Sequence, residues 1–282
     1  MAGRVAILRL LPFSYAEYQR EFNIEDIENL ILKGMYPPIH DRDLTTSVWF
    51  DQYVSTYIER DVRSIKNIEN LNTFQRFLKL CAGRSGQILN YSSLANDCGI
   101  THNTARSWIS ILEASYIVGL LPPYYENFNK RLIKSPKLYF LDSGLLCYLL
   151  GIHSADIFAV HPLKGSVFET YVYTELLKLF YNTAQRAELY FWRDKTGHEI
   201  DFLAPQADTL ISIEVKAGKT INADYFKNLK YFSALSPSTN PIVIYNGCDE
   251  QRRNSGHVLP VDSAISYLTE QICSLTEANS GQ

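Results

Sequence analysis

Three strand-like runs stand close together between residues 187 and 217: "AELYFWR" (187–193), "HEIDFLA" (198–204) and "LISIEVKA" (210–217). β-Branched and aromatic residues crowd them and short polar stretches separate them, so they read as neighbouring strands. A helical pattern over 166–181 precedes them. A helical pattern over 223–235, the run "PIVIY" at 241–245 and a last helix over 262–273, capped by Asp262, follow. The order α-β-β-β-α-β predicts a mixed α/β domain and constrains what the chain can be more than any other feature.

The 282 residues leave room for two or three small domains, each with its own core. A formal charge of −3 excludes a chain coated uniformly in basic residues, so a nucleic-acid partner would need a local basic patch. The five cysteines (Cys81, Cys98, Cys147, Cys248, Cys273) are scattered without a Cys-x-x-Cys pair. They indicate neither a zinc site nor a disulfide framework, and the expected location is the reducing cytoplasm. No run approaches the roughly eighteen uncharged apolar residues of a membrane span. In "MAGRVAILRLLPFSYAEY", Arg9 interrupts the apolar run and no small-residue cleavage site follows, which argues against a signal peptide. Val5 to Leu11 is expected to be a buried strand of the parallel kind, and Ser14 with Glu17 a capping box opening a helix. Helical periodicity covers 24–33 and 45–80, the latter with a stripe of Val48, Tyr53, Val54, Tyr57, Ile58, Val62 and Ile65; the turn "KGMYPPIHD" separates the two.

"SSLANDCGITHNTARSWISIL" (92–112) reads as a helix-turn-helix. Leu94 and Ala95 pack the first helix, Gly99 makes the turn, Ile100 plugs the gap and Thr101 caps the second helix. Ala105, Trp108 and Ile109 then face inward, and His102, Asn103, Arg106 and Ser110 outward. Two strand-like runs, "YIVGLLPPYY" and "RLIKSPKLYFL", follow in the order of a winged helix. Its wing holds Lys130, Arg131, Lys134 and Lys137, four basic residues in eight with no acid, a composition suited to DNA phosphates. A winged helix used only for packing or protein docking competes with that reading.

Gly218-Lys219-Thr220 looks like the end of a phosphate-binding P-loop. That loop needs a glycine five residues before Gly218, where Ile213 stands inside a strand, so no nucleotide-binding residues are assigned. Alternation in "ISIEVKA" puts Ile211, Ile213 and Val215 on one face and Glu214 and Lys216 on the other. In "EIDFLA", Ile200 and Phe202 share the apolar side, opposite Glu199 and Asp201. Adjacent strands would thus bring Asp201, Glu214 and Lys216 together. Two carboxylates can hold Mg²⁺ while the lysine orients a water, although a solvated sheet face with a trivial ion pair has the same pattern. Glu169 and Glu175 add carboxylates on the preceding helix, Glu169 also completing a Ser166-x-x-Glu169 capping box. His153 and His198 show no paired metal-ligand spacing.

"KGSVFETYVYTEL", "YFWRDKTGHEIDFL" and "ISIEVKAGK" together resemble the PD-(D/E)XK nuclease superfamily, the helix start being similar to that of archaeal Holliday-junction resolvases. Over roughly residues 45–235, "YIERDVRSI", the helix-turn-helix and wing, "LDSGLL" and these motifs resemble the uncharacterised C-terminal domain of bacterial and archaeal AAA+ ATPases. That resemblance implies a remnant of the ATPase core with connecting helices over 1–70, a winged helix over 71–150 and a restriction-endonuclease-like domain over 151–282. It implies Asp201, Glu214 and Lys216 as catalytic residues, and Asp201, Glu214 and Glu169 as Mg²⁺ ligands. The family's phosphate loop and acidic strand would lie before Met1, so the chain is expected to be N-terminally truncated and to have no ATPase activity alone. DNA is the expected partner, with a homo-oligomer or a separate ATPase as further candidates. Two functions stay open: a Mg²⁺-dependent DNA phosphodiesterase, or a non-catalytic DNA- or protein-binding module of an ATPase.

Overall fold

Ser14 and Glu17 form the expected capping box, each side chain accepting from the other's backbone N–H, and it starts α1 (Tyr15–Glu21). The computed structural model describes residues 8–23, 26–42, 44–58, 71–125, 134–206 and 208–279. Three further short helices follow: α2 (Ile27–Lys33), α3 (Pro37–Asp41) and α4 (Thr46–Gln52), the last running into a π-helical turn, Tyr53–Ile58. α3 occupies the expected turn, because Pro37 and Pro38 at its first positions have backbones already set for a helix start. Gly34, at φ +72°, is packed so tightly against the Asp142 carboxylate that no side chain fits there. That carboxylate accepts from Met35 N (2.7 Å) and from Leu145 N (2.8 Å), joining the N-terminal helices to the middle of the chain.

Two expectations for this region need correction. Residues 8–11 are not a strand: Leu8 and Leu10 are exposed and no strand among the described residues pairs with them; residues 5–7 lie outside the described residues. Val48 is also exposed, and Phe50 takes the buried position instead. Val62, Ile65 and the side chains of Tyr57 and Ile58 lie outside the described residues.

The middle section runs α5 (Leu71–Ala82), β1 (Gln87–Ile88), α6 (Tyr91–Cys98), α7 (His102–Ala114), β2 (Val118–Leu121) and β3 (Lys137–Phe140). The strands form an antiparallel sheet in the order β1-β3-β2. Asn90 and Thr101 cap α6 and α7, and Gly99 turns between them at φ +72°. Leu94, Ala95, Ala105, Trp108 and Ile109 are buried, as the sequence pattern requires. α8 (Ser143–Leu150), a nearly all-buried helix absent from the sequence reading, and α9 (Ala155–Val160) lead on to α10 (Lys164–Asn182).

α10 lies against the larger sheet, formed by β4 (Tyr190–Arg193), β5 (Glu199–Gln206), β6 (Thr209–Lys216), β7 (Thr239–Tyr245), β8 (Gln251–Arg253) and β9 (Gly256–Pro260). The strand order is β4-β5-β6-β7-β9-β8, antiparallel at both edges and parallel across β6-β7-β9. α10 and α12 (Val261–Asn279) cover one face. A 3₁₀ turn (Ala223–Phe226) continuing into α11 (Lys227–Leu235) covers the other, through Phe226, Leu229 and Phe232. The chain after β2 pairs with β4, Phe191 N donating to Pro122 O (3.1 Å) and Tyr124 N to Phe191 O (2.7 Å), so the two sheets touch edge to edge. The whole is a mixed α/β fold. Among the described residues no helix is long and apolar enough to cross a membrane.

Candidate active site

The β5–β6 hairpin keeps regular register from Gln206↔Thr209 to Phe202↔Ile213 and then stops. Val215 N donates to the Asp201 side chain (Oδ2, 2.8 Å) instead of to a backbone carbonyl. On the other edge, Tyr190 pairs with Leu203 and Trp192 with Ile200, so β5 carries one extra residue there. That bulge overturns the simple alternation: Ile200 packs under α11 and Phe202 under α10, on opposite faces. The opened strand ends leave Asp201, Glu214 and Lys216 at one place. Lys216 Nζ donates to Glu214 Oε1 (2.7 Å), whereas Glu214 Oε2 is buried with no hydrogen-bond partner.

α10 and the small sheet complete the cluster. Lys137, 2 % exposed, places its ammonium 2.5 Å from Glu199 Oε1, 3.0 Å from Glu169 Oε1 and 3.9 Å from Asp201 Oδ1. Tyr139 donates its hydroxyl to the same Glu169 oxygen, and Arg193 pairs with Glu199 (3.0 Å). Four carboxylates therefore face three cations, and the shortfall appears in the titration behaviour. Burial pushes Glu214 up, with Glu169 and Glu199 adding to it against Lys216. Burial would lower Lys137, but Glu169, Asp201 and Glu199 together raise it.

Burial, then repulsion from Glu214 and Glu169, hold the Asp201 carboxyl well above the ordinary carboxylate range, against the pull of Lys137 and Lys216. The folded protein thus keeps this proton over a pH window in which the unfolded chain has lost it. Ionisation across that window costs stability as pH rises. Asp201→Asn, which keeps the shape and an acceptor, is expected to raise the melting temperature at pH 7 in EDTA. The gain should vanish below about pH 4, where both states carry the proton. A lower melting temperature at pH 7 would mean that attraction to Lys137 outweighs the repulsion.

Glu169 is not a capping residue, because α10 begins at Lys164, two residues before Ser166, and the Glu169 carboxylate is turned to Lys137 and Tyr139. Lys137 is not a surface phosphate contact, because all four residues of β3 are buried. Lys130 and Arg131 lie outside the described residues; Lys134 is exposed, and so are His102, Asn103 and Arg106 on α7. Glu175 sits away from the cluster, accepting from Tyr15 N and Lys178. His198 stacks on Tyr231 at 3.7 Å, and His153 lies edge-on to Tyr148. Lys219 lies 3.6 Å from Glu28, and Thr220 O accepts from Tyr225. Glu199 and Tyr139 belong to the cluster without having been assigned to it; the alternation of Glu199 with Asp201 was the available signal.

A hard divalent cation suits this donor set, which is entirely carboxylate oxygen with one buried oxygen unpartnered. Asp201 and Glu214 are the pair whose mutual repulsion such an ion would relieve. No group of three acidic, histidine or cysteine side chains converges closely enough to hold an ion among the described residues.

Family models match at two places: residues 24–156 match a domain of unknown function (DUF8612), and residues 164–264 another (DUF4143). Lys137 and Tyr139 fall in the first stretch and the carboxylates of the cluster in the second. The chain is similar to an uncharacterized protein of Mycobacterium tuberculosis and to one of Mycobacterium bovis, each 28 % identical over 222 residues, 78 % of this chain and 48 % of the relative. It is also similar to an uncharacterized protein of Methanocaldococcus jannaschii, 24 % identical over 226 residues, 78 % of this chain and 46 % of the relative. The chain spans about half the length of the curated relatives it matches. No solved structure matches it.

Proposed function

We propose that the chain is similar to the C-terminal part of AAA+ ATPase family proteins and that it binds DNA and hydrolyses its phosphodiester bonds with a divalent metal. The order α5-β1-α6-α7-β2-β3, with the sheet β1-β3-β2, supports the winged-helix part of this reading. The α-β-β-β-α-β run from α10 to β7 supports the PD-(D/E)XK nuclease-like part. One observation carries the chemistry: the buried, unpartnered Glu214 oxygen beside Asp201 and Lys216 at the opened end of a hairpin. Asp201 and Glu214 would hold Mg²⁺; Glu169, expected as a third ligand, is instead bound by Lys137 and Tyr139. When bound, the ion supplies an activated water and screens phosphate charge. Lys216, held by Glu214, would orient the attacking water through its ammonium, and the Val215 N–H fixes the Asp201 carboxylate. His102, Asn103, Arg106 and Lys134 offer exposed donors for the DNA backbone.

The test is nicking of supercoiled plasmid by the purified chain. Nicks should accumulate with Mg²⁺ or Mn²⁺ and stop with EDTA and in Asp201→Asn. No nicking with either metal, together with no heat of metal binding, would sink the enzymatic reading. The second reading, a non-catalytic DNA- or protein-binding module, is favoured by the Lys137 ammonium already lodged among three carboxylates.

A further inference from the structure

Lys137 opens β3, a strand held on both sides: it pairs with Ile88 of β1 and with Leu121 of β2. Its backbone is thus fixed by pairing on both sides, and side-chain torsions are what can move the ammonium. That ammonium is 2 % exposed and lies within 4 Å of Glu199, Glu169 and Asp201, with the Phe191 ring 5.6 Å away. Three acidic oxygens around one desolvated positive charge is the arrangement a bound cation would otherwise provide. Asp201 faces both ways: Oδ1 lies 3.9 Å from Lys137, and Glu214, its proposed co-ligand, has its free oxygen buried in the same cluster.

We infer that Lys137 is the resident counter-cation of this site and sets its affinity for divalent ions: an ion bound through Asp201 and Glu214 shares Asp201 with the ammonium or displaces it. The inference rests on the metal-dependent reading above. It adds that the small sheet, part of the winged helix which that reading uses for DNA contact, governs how readily the site loads. Like charges a few ångströms apart repel strongly in a partly desolvated site, so removing one should favour the other.

Calorimetric titration of Mn²⁺ into the full chain tests this with wild type, Lys137→Met and Lys137→Arg. Lys137→Met keeps the apolar stem and loses the charge, and should bind Mn²⁺ about tenfold more tightly or better. Lys137→Arg restores the charge and should bind as wild type does, a rescue that a purely structural lysine would not give. In Lys137→Met/Glu214→Gln the gain should disappear. An unchanged or weaker affinity in folded Lys137→Met overturns the inference, and so does a gain that survives Glu214→Gln. If Lys137→Met fails to fold by circular dichroism, Lys137→Gln carries the same expectation. Failure of both to fold would overturn the inference in favour of a structural lysine. Wild type separates this outcome from the parent reading. Mn²⁺ bound equally by wild type and Lys137→Met removes the inference alone. Binding only by Lys137→Met supports it and counts against a self-sufficient metal enzyme, and binding by neither removes both.

Discussion

Lys216→Ala is expected to bind Mn²⁺ at least as tightly as wild type, because it removes a like charge 2.7 Å from Glu214, and to cleave DNA about 10²–10⁴-fold more slowly, the range lost when a positioned proton-handling group is removed. Asp201→Ala and Glu214→Ala should instead lose metal binding and cleavage together. The asymmetry follows from the chemistry of the groups. Carboxylates ligate a hard cation, whereas an ammonium has no lone pair to offer. Lys216 is about one-third exposed, paired with Glu214 Oε1 and over the Tyr225 ring, so its loss leaves the sheet intact. Calorimetry and single-turnover nicking on the same preparations read the two effects apart. Near-silent behaviour of all three variants in both assays would return the cluster to a structural ion-pair network.

Lys178→Ala is expected to destabilise the fold by about 3–5 kcal/mol, the cost of leaving one partner of a buried ion pair alone. Glu175 and Lys178 are 1 % and 2 % exposed and 2.8 Å apart on α10. They also satisfy the backbone that leads into α1: Tyr15 N donates to Glu175 (2.8 Å), and Lys178 donates to Phe13 O (2.8 Å). Replacing both by hydrophobes often recovers the loss when a pair serves only itself. Here Glu175→Leu/Lys178→Met should stay destabilised by roughly 1–3 kcal/mol per orphaned backbone group. Urea unfolding of the single and double variants checks this. Full recovery in the double variant would mean that water replaces the side chains at residues 13–15.

Much of the fold was legible because its elements obey simple periods. The helix expected at 166–181 runs Lys164–Asn182, the strands at 198–204 and 210–217 are β5 and β6, and the 92–112 stretch folds with Gly99 and Thr101 in their expected roles. Legibility failed where one residue breaks a period or where context decides. The extra residue in β5 leaves no mark in an alternating pattern, so Ile200 and Phe202 could not be assigned to opposite faces. The β8–β9 hairpin, Gln251–Arg253 with Gly256–Pro260, was missed because its edge strand is three polar residues long. Lys137 stands beside other basic residues and so reads as part of their patch. Only the small sheet's docking against β4 and α10 reveals that it points inward.

That docking also has a temporal side. β5 and β6 form a tight local hairpin, an element that closes in about 1–10 μs in isolation, so Asp201 and Glu214 come together early. Lys137 must arrive from 64 residues before Asp201, a contact that waits for longer-range chain closure. Until then Asp201 lacks the Lys137 ammonium, whereas Glu214 already has Lys216 of its own strand beside it. The arriving strand is therefore drawn in by an attraction that salt screens.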